Sequence, residues 1–581
     1  MTTTTTPERQ IVLTRPRPLT AAAVAVGTVP FVLHAWMTFA GYFGHDDFLI
    51  LYRSAQHGPF DPGYLFQDYN GHVAPGMFVL AWLVTALAPL NYAVTVLPVL
   101  AMQAVASILL WRLLVRIFGP RWALLLPFAV YAFCPLVLYP TLWWAYAIEL
   151  IPLLLAMFGA INTHVTYLRT RAAKHLVGTL LWTVAGMAFY EKAVLFPAVL
   201  FGITLLLGER VPWRVWLAHG ALLAGYAVLY ISLITSRVKD GLPSAEAIVE
   251  FAGRAVVDTF LPGLFGGPWT GPGPGTSGTI LTPPLWLRLA VVLLAAIVIG
   301  GALRRARKRA LLAWLLLAAY MAVDLALVIV TRLPEIGPLI GTDPRYVADA
   351  VPLAALCATF AYLEPGNDSG GPRRPVVLTL VTLLGVSATL SFLWLAPGLQ
   401  FTKSKQYVAT ARTALAADPS MVLYDVQVPG EIMVEWFGAN GRASRVLSLL
   451  PGRPRFDQPS DVMYLLDDNG TPHKITGLKD PVVGRTGPLD KCGHAVGQEI
   501  VTIALSGRVE GRRLLRMEYY TSSAGPVRIG LGPAAQQVNF DEGLHELYVV
   551  VDSSADRLEI SRSTKVDPIC VVDVRIGLPA T

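Results

Sequence analysis

Apolar residues form long runs, separated by short polar segments, along the first two thirds of this chain. A helix needs about 20 apolar residues to cross a bilayer, and the runs predict about eleven such helices with loose boundaries. They lie at residues 19–40, 92–115, 122–140, 145–168, 175–190, 193–208, 215–236, 285–303, 310–331, 350–363 and 376–397. The pattern therefore predicts a polytopic α-helical membrane bundle over residues 19–397.

The pattern changes at about residue 401, where apolar and polar residues begin to alternate in short stretches bounded by turn residues. Such alternation is typical of strands that bury one face. The clearest strands are predicted at Leu514–Tyr520, Val527–Leu531, His545–Val551, Arg557–Ser561 and Val571–Ile576. We therefore expect a jelly-roll-like β-sandwich at residues 451–581, joined to the bundle by an α/β-like segment at residues 398–450.

Composition agrees with a membrane protein. Mean hydropathy is +0.53, 54% of the residues are hydrophobic and only 15% are charged, which excludes an ordinary soluble globular protein. The formal net charge of +7 does not indicate a nucleic-acid partner, because the basic residues occur in short clusters between apolar runs. The partner that this distribution indicates is the lipid bilayer.

The basic clusters also predict the orientation. Cytoplasmic loops are enriched in Lys and Arg. The clusters are Arg112/Arg116/Arg121, Arg169/Arg171/Lys174, Arg210/Arg214, Arg304 to Arg309 and Arg373/Arg374. All of them lie inside if residues 1–18 form a cytoplasmic tail. An odd number of spans then places residues 398–581 outside the cell membrane, together with a large outer loop at residues 41–91.

The apolar stretch at residues 74–89 is not counted as a span. Counting it would invert every later loop and place the basic clusters outside. We interpret it as a helix that lies along or dips into the outer face of the membrane.

The four cysteines divide between the two regions. Cys134 and Cys357 fall in predicted spans, where a thiol is most simply an apolar filler. Cys492 and Cys570 fall in the exterior domain, where a disulfide can form, and we expect them to pair.

The first outer loop has the highest density of polar residues near the bundle. It contains Asp46 and Asp47 directly after the first span, and later His72, which precedes Pro75. Carboxylates at the mouth of a bundle can bind a cation, take a proton or hold a polar substrate. The simplest alternative is that Asp46 or Asp47 caps a helix that starts at Phe48.

Further polar residues fall at the outer ends of other spans. Glu149 follows a cluster of aromatic residues that is typical of the membrane interface. Glu191 and Lys192 occupy a turn between two spans, and the alternative there is an interfacial Glu–Lys pair. Arg345 and Tyr346 lie in another outer loop, where a guanidinium suits a phosphate and the alternative is an ordinary turn. Asp324 lies inside a span without an evident partner.

Acids and cations at one membrane face suit a particular reaction. A carboxylate deprotonates an acceptor hydroxyl that attacks a sugar carbon, while cations stabilise the departing lipid phosphate. The residues that suggest this reaction are Asp46-Asp47, His72-x-x-Pro75, Glu191-Lys192 and Arg345-Tyr346. In their order and their side of the membrane they resemble the GT-C superfamily of membrane glycosyltransferases, such as protein O-mannosyltransferases, aminoarabinose transferases and actinobacterial arabinofuranosyltransferases.

The resemblance implies a polyprenyl-phosphate sugar donor and an envelope glycan, lipid or protein as the acceptor. It implies Asp47 or Asp46 as the general base, Lys192 and Arg345 as donor-phosphate contacts, and His72, Glu149, Glu191 and Tyr346 as further substrate-binding residues. Some members hold a divalent cation (Mg, Mn or Ca), for which Asp46 and Asp47 would be the ligands. The terminal domain is similar to carbohydrate-binding domains of arabinofuranosyltransferases, and the residue usage resembles that of actinobacteria.

Two other functions fit the same pattern. A transporter or flippase of lipid-linked sugars would also carry ionisable residues, but near the bilayer midplane and with internal repeats. A non-catalytic membrane protein could bind envelope polysaccharide through its exterior domain.

Overall fold

The computed structural model describes residues 17–234, 243–269, 281, 283–366, 371–562 and 567–581. Most of the predicted cytoplasmic tail, residues 1–16, lies outside them. The chain divides into two compact units. The first unit comprises Met1–Phe43 and Arg53–Phe401, and the second comprises Gly44–Tyr52 and Thr402–Thr581.

Most of the described residues of the first unit are helical. The helices up to residue 395 are α1 (Arg17–Ala40), α2 (Asp46–Gln56), α3 (Pro62–Leu65), α4 (Pro75–Leu87), α5 (Tyr92–Phe118), α6 (Leu125–Ala132), α7 (Pro135–Leu138), α8 (Trp144–Thr170), α9 (Ala173–Met187), α10 (Phe196–Leu206), α11 (Trp213–Leu233), α12 (Ala245–Gly253), α13 (Leu261–Leu264), α14 (Leu285–Arg305), α15 (Arg307–Thr331), α16 (Leu333–Ile336), α17 (Ala350–Tyr362) and α18 (Arg374–Leu395). Helix α2 begins in the second unit. Short 3-10 turns lie at Trp122–Leu124, Pro140–Leu142, Glu191–Leu195, Pro338–Thr342, Pro344–Tyr346 and Ala396–Leu399, and Arg254–Phe260 is π-helical.

Among the described residues, seven helices are long and apolar enough to cross a membrane. They correspond to α1, α5, α8, α11, α14, α15 and a stretch that begins with α18. The multi-pass membrane character predicted from the sequence is therefore confirmed. The other four predicted spans coincide with shorter helices, α6, α9, α10 and α17, so the count of eleven stays a prediction.

The predicted span at residues 122–140 is broken, and prolines explain the breaks. Pro135 begins α7 and Pro140 begins the following 3-10 turn. Proline has no N–H to donate within a helix but suits its first turn, so each proline starts a new helical segment. The predicted interfacial helix corresponds to α4. Its 13 residues would reach about 20 Å, less than the ~30 Å of a hydrocarbon core.

Helix α8 is the most buried of the long helices. Of its most apolar window 89% is buried, against 39% or less for the other six. Gly159 allows this close packing, because a side chain there would overlap the ring of Trp182 on α9. Small residues are common where membrane helices approach closely. A polar residue on α8, such as Glu149, is therefore held inside protein.

Strands are the main secondary structure of the second unit, which also contains α19 (Thr402–Ala417) and α20 (Ala443–Val446). The strands are β1 (Val422–Leu423), β2 (Arg455–Phe456), β3 (Tyr464–Leu466), β4 (Pro472–Lys474), β5 (Gly477–Val483), β6 (His494–Val496), β7 (Val501–Val509), β8 (Arg512–Thr521), β9 (Gly525–Leu531), β10 (Ala534–Phe540), β11 (Gly543–Asp552), β12 (Ala555–Arg562) and β13 (Ile569–Ala580). All five strands predicted from the alternating pattern are confirmed.

Two antiparallel sheets share one hydrophobic core. Their strand orders are β10-β9-β12-β7 and β11-β8-β13-β5, with β6 also paired to β13. Buried residues from both sheets, such as Ile529 and Met517, belong to the same cluster. The predicted Cys492–Cys570 disulfide is present and attaches the segment before β6 to β13. A small mixed sheet, β2-β1-β3-β4, spans the predicted boundary at residue 450.

Candidate functional site

The acidic pair lies in the first turn of α2, within the segment that belongs to the second unit. Asp47 is fully buried, and its Oδ2 accepts the backbone N–H of Gly44 at 2.9 Å. Asp46 is partly buried. Carboxylates at a helix N-terminus are stabilised by the helix dipole. The helix begins at Asp46 rather than at Phe48, and Asp47 fixes the turn before it through its hydrogen bond from Gly44, so Asp47 has a structural role.

His72 and Glu191 meet although 119 residues separate them. His72 Nδ1 lies 3.0 Å from both carboxylate oxygens of Glu191. The loop that carries His72 is also held by Tyr230 on α11, whose hydroxyl donates to the carbonyl of Gly71 at 2.7 Å. The loop between α3 and α4 and the turn between α9 and α10 therefore contribute to one polar contact.

The pKa of His72 reflects its charged neighbours. Burial lowers the pKa of the imidazole, but the carboxylates of Glu191 and Glu149 outweigh burial and raise it to about 9. Arg332 acts in the opposite direction, since its Nη2 lies 3.2 Å from His72 Nε2. Burial raises the pKa of Glu191, but its interaction with His72 dominates, and the net shift is downward. The two side chains thus favour the ionised pair.

Lys192 lies in a buried cluster of charges. Its Nζ is 2.8 Å from Asp324 on α15 and 2.7 Å from Asp349, which precedes α17. Tyr320 donates its hydroxyl to the other oxygen of Asp349 at 2.6 Å. The ammonium is 4% exposed and both carboxylates are 0% exposed. Two carboxylates around one ammonium give this cluster an excess of negative charge when both are ionised.

Arg345 is held by its own turn and by aromatic rings. Asp343 accepts hydrogen bonds from Arg345 Nε and Nη2 and also from the backbone N–H of Arg345. The guanidinium lies 4.6 Å from the centre of the Trp143 ring, a cation–π distance. Tyr146 on α8 donates to the carbonyl of Arg345 at 2.7 Å. The side chain nevertheless stays 25% exposed.

Three cationic side chains act on Tyr346. Its carbonyl accepts a hydrogen bond from Lys192 Nζ at 3.4 Å. Burial raises the pKa of the phenol, while Arg345, Arg332 and Lys192 each act to lower it. Three cations from different parts of the chain therefore act on one side chain.

Several predicted residues are brought together in the first unit. His72 contacts Glu191, Lys192 contacts the backbone of Tyr346, and Glu149 is close enough to influence His72. The convergence of Asp46 and Asp47 with these residues stays a prediction.

One expectation about this cluster needs correction. Asp324 has a partner, Lys192, and the alternative of a pair between Glu191 and Lys192 is replaced by separate partners for each residue. The reason is physical: these contacts join helices that are distant in sequence, and helical periodicity does not specify which helices meet.

Four residues of the site were not predicted from the sequence: Arg332, Asp343, Asp349 and Tyr320. Asp343 and Asp349 flank the Arg345-Tyr346 pair, and a carboxylate that close to a candidate cation is a signal that sequence reasoning could have used. Arg332 directly follows an apolar run, and a single arginine in that position carries little signal by itself.

The described residues offer few ligands for a divalent cation. Among the described residues there is no group of three or more His, Cys, Asp or Glu side chains arranged to hold a metal ion. Asp46 and Asp47 alone would have to be completed by water or substrate, as Mg²⁺ sites sometimes are. One oxygen of Asp47 already accepts the Gly44 N–H. Asp46 and Asp47 as ligands of a divalent cation stay a prediction.

Comparison with solved structures gives matches to two kinds of membrane-protein chain. The crystal structure of ArnT from Cupriavidus metallidurans bound to undecaprenyl phosphate is 15% identical, covers 78% of this chain and 93% of its own, and has a TM-score of 0.43. The apo form of ArnT gives 14% identity and a TM-score of 0.45.

The arabinofuranosyltransferase AftD from Mycobacteria is 11% identical, with a TM-score of 0.41. That match covers 97% of this chain and 58% of AftD, so the chain spans little more than half the length of AftD. No protein-family model matches the sequence, and no curated protein matches it.

Proposed function

We propose that this chain is an integral membrane glycosyltransferase that moves a sugar from a polyprenyl-phosphate donor to an acceptor outside the cytoplasm. The observation that carries the proposal is the group of charged residues in the first unit, where Lys192, Arg345 and the His72–Glu191 pair lie at helix ends or in short turns. Buried charges of this kind in a membrane protein indicate a functional site by default.

In the proposed reaction an acceptor hydroxyl attacks the sugar carbon bonded to the donor phosphate. A new C–O bond forms to the acceptor, the bond between the sugar carbon and the phosphate oxygen breaks, and its electron pair leaves with the polyprenyl phosphate. The hydroxyl proton passes to a carboxylate, for which we propose Asp47, or Asp46. Asp46 is the more exposed of the two, whereas Asp47 is held by the Gly44 N–H.

The departing phosphate gains negative charge and needs cations nearby. We propose Arg345 and Lys192 for this role. Arg345 is partly exposed and its planar guanidinium can bind two phosphate oxygens at once. Lys192 is buried between Asp324 and Asp349, so Arg345 carries the larger share of the proposed contact. His72, Glu149, Glu191 and Tyr346 complete the proposed substrate-binding set.

The finer topology belongs to the same proposal. Eleven spans with a cytoplasmic N-terminus place the second unit outside the cell membrane, with its two sheets packed as a β-sandwich. The acceptor would then be an envelope glycan, lipid or protein. A disulfide in that unit is compatible with an oxidising exterior.

The test follows the sugar of a labelled polyprenyl-phosphate donor in proteoliposomes that contain the purified full chain and an envelope acceptor extract. We expect label to leave the lipid fraction and appear in the acceptor fraction. A flippase would instead move the intact labelled lipid between leaflets and leave the sugar attached to it. Label that stays entirely in the lipid, with or without a change of leaflet, contradicts the proposal.

A further inference from the structure

Arg332 is a cation near the site that none of the roles above includes. It follows α15 directly, and its backbone N–H bonds the carbonyl of Val328 in the last turn of that helix. Its guanidinium reaches the outer loop, where Nη2 donates to the carbonyl of Asn70 and lies 3.2 Å from His72 Nε2. The side chain is partly buried. A cation thus joins the end of a membrane-length helix to the loop that carries His72.

The three cations near Tyr346 differ in how their charge is compensated. Lys192 lies between Asp324 and Asp349, and Arg345 is bound through several hydrogen bonds to Asp343. Arg332 forms no ion pair with a carboxylate within the described ranges; its side-chain contacts there are Asn70 and His72, both through Nη2.

The contact places the Arg332 guanidinium beside an imidazole that becomes a second cation when it is protonated. Nδ1 of the imidazole contacts Glu191, and Nε2 contacts Arg332. When His72 is protonated, both Nε2 and Nη2 are donors, and the only carboxylate in direct contact with either side chain is Glu191 among the residues described. An anion with several acceptor oxygens would accept from both donors and remove this repulsion. Phosphate has that chemistry, and Arg is well suited to it.

We propose that Arg332 and His72 together bind a phosphate group, with the Arg332 guanidinium as a contact in addition to Arg345. This inference rests on the proposed function, in which the phosphate is that of the polyprenyl donor. The same chemistry occurs in inorganic phosphate and in the head group of an anionic phospholipid. Arg332 and protonated His72 carry two positive charges, against one carboxylate in direct contact, that of Glu191, with Glu149 acting at longer range.

Binding is measured on the full chain in nanodiscs of neutral phospholipid, with a polyprenyl phosphate as the probe. Neither sugar nor acceptor is needed, so failure of this test is separate from failure of the transfer assay. We expect Arg332→Gln to weaken binding roughly tenfold to a hundredfold, the range for a lost hydrogen bond between charged groups. The affinity of Arg332→Lys should lie between those of the parent and Arg332→Gln, because lysine keeps the positive charge but lacks the planar guanidinium. Arg412→Gln, at an exposed arginine of α19, is the matched control and should bind like the parent.

Competition arms identify the source of the phosphate. Inorganic phosphate that displaces the probe from the parent but not from Arg332→Gln supports a site for the phosphate group alone. An anionic phospholipid that does so supports a site open to membrane lipid. Unchanged affinity in Arg332→Gln, or an equal loss in Arg412→Gln, overturns the proposal. The variants must share the parent's thermal midpoint and elution profile. If Arg332→Gln differs from the parent in either, the affinity of Arg332→Lys is used to test the proposal instead.

The pH dependence gives a second readout that a merely structural role would not change. The groups facing His72 are Glu191, Arg332 and the ring of Tyr190, with Glu149 acting at longer range. Because the pKa of His72 is raised to about 9, we expect parental affinity to fall between pH 8 and pH 10 as the imidazole loses its proton. His72→Gln should bind more weakly at pH 8 and show a flatter profile. Parallel profiles for the parent and His72→Gln contradict a role for His72.

Discussion

The buried charge of Lys192 and the charges of Asp324 and Asp349 compensate one another. Lys192→Met would leave Asp324 and Asp349 buried without a counter-charge, which typically costs about 3–5 kcal/mol. We expect a large fall in the thermal unfolding midpoint of the detergent-solubilised chain. Adding Asp349→Asn to Lys192→Met should recover part of the loss, because it removes one of the stranded charges.

The control for this prediction is a pair at the surface. Arg171 and Glu209 form an ion pair in which both side chains are more than 40% exposed. Exposed pairs contribute roughly 0–1 kcal/mol, so Arg171→Met should change the midpoint little. Equal effects of Lys192→Met and Arg171→Met would contradict the assignment of a buried cluster.

The His72–Glu191 pair predicts a pH dependence of stability. The pKa of His72 rises from 6.5 to about 9 on folding, so its contribution is complete below pH 6.5 and is lost as the pH rises through 9. The pKa of Glu191 is lowered from 4.5, so its contribution is present above pH 4.5 and lost as the pH falls through the lowered value.

Thermal midpoints at pH 6.5 and pH 9.5 check this window. The parent should lose more stability across it than His72→Gln, in which the titrating imidazole is gone. The same loss in both proteins would show that other groups control the midpoint.

Helix packing is tested at Gly159. An alanine there would place its Cβ against the Trp182 ring, and overpacking of this kind costs typically about 1–3 kcal/mol. We expect Gly159→Ala to lower the unfolding midpoint by loosening the contact between α8 and α9. Gly225→Ala on α11 is the control, because a Cβ there meets no atom within 4 Å. It should be neutral or slightly stabilising, since alanine favours helix; a larger loss at Gly225 than at Gly159 would contradict the packing argument.

The disulfide closes a long segment of the strand-rich unit. Cys492 and Cys570 are 78 residues apart, and bridges of this kind contribute typically about 2–4 kcal/mol. In the full chain, we expect the double variant Cys492→Ser, Cys570→Ser to unfold in this unit at a lower temperature. Limited proteolysis during heating measures that unfolding. Reductant should reproduce the effect in the parent and add nothing in the double variant. A reductant effect that persists in the double variant would point to a different cause.

The sequence predicted elements better than contacts. Apolar runs located helices at every predicted span, and alternation located strands β8, β9, β11, β12 and β13. It did not predict that prolines divide residues 122–140, although Pro135 and Pro140 are visible in the sequence. The sequence also did not indicate that Lys192 pairs with Asp324, because that contact depends on how two segments distant in sequence pack together. Candidate site residues can therefore be chosen by their position at helix ends, whereas their partners require the fold.

At the scale of the whole molecule, the chain forms two compact units. Asp46 and Asp47 lie in the segment that groups with the strand-rich unit, although they follow the first helix in sequence, and Lys192, Arg345 and Arg332 lie in the helical unit. The proposed general base and the proposed phosphate contacts are tested by separate substitutions. Changes at the acidic pair should affect proton removal, and changes at Arg345 or Arg332 should affect donor binding.

The most direct test of the account is the rate of sugar transfer at saturating polyprenyl-phosphate donor for the parent, Asp46→Asn and Asp47→Asn. A positioned general base contributes typically about 10²- to 10⁴-fold. We predict a loss in that range for Asp47→Asn, with normal expression and with polyprenyl-phosphate affinity unchanged. If Asp46→Asn shows that loss instead, Asp46 is the base. Undiminished transfer by both variants would contradict the central claim that this acidic pair takes the acceptor proton.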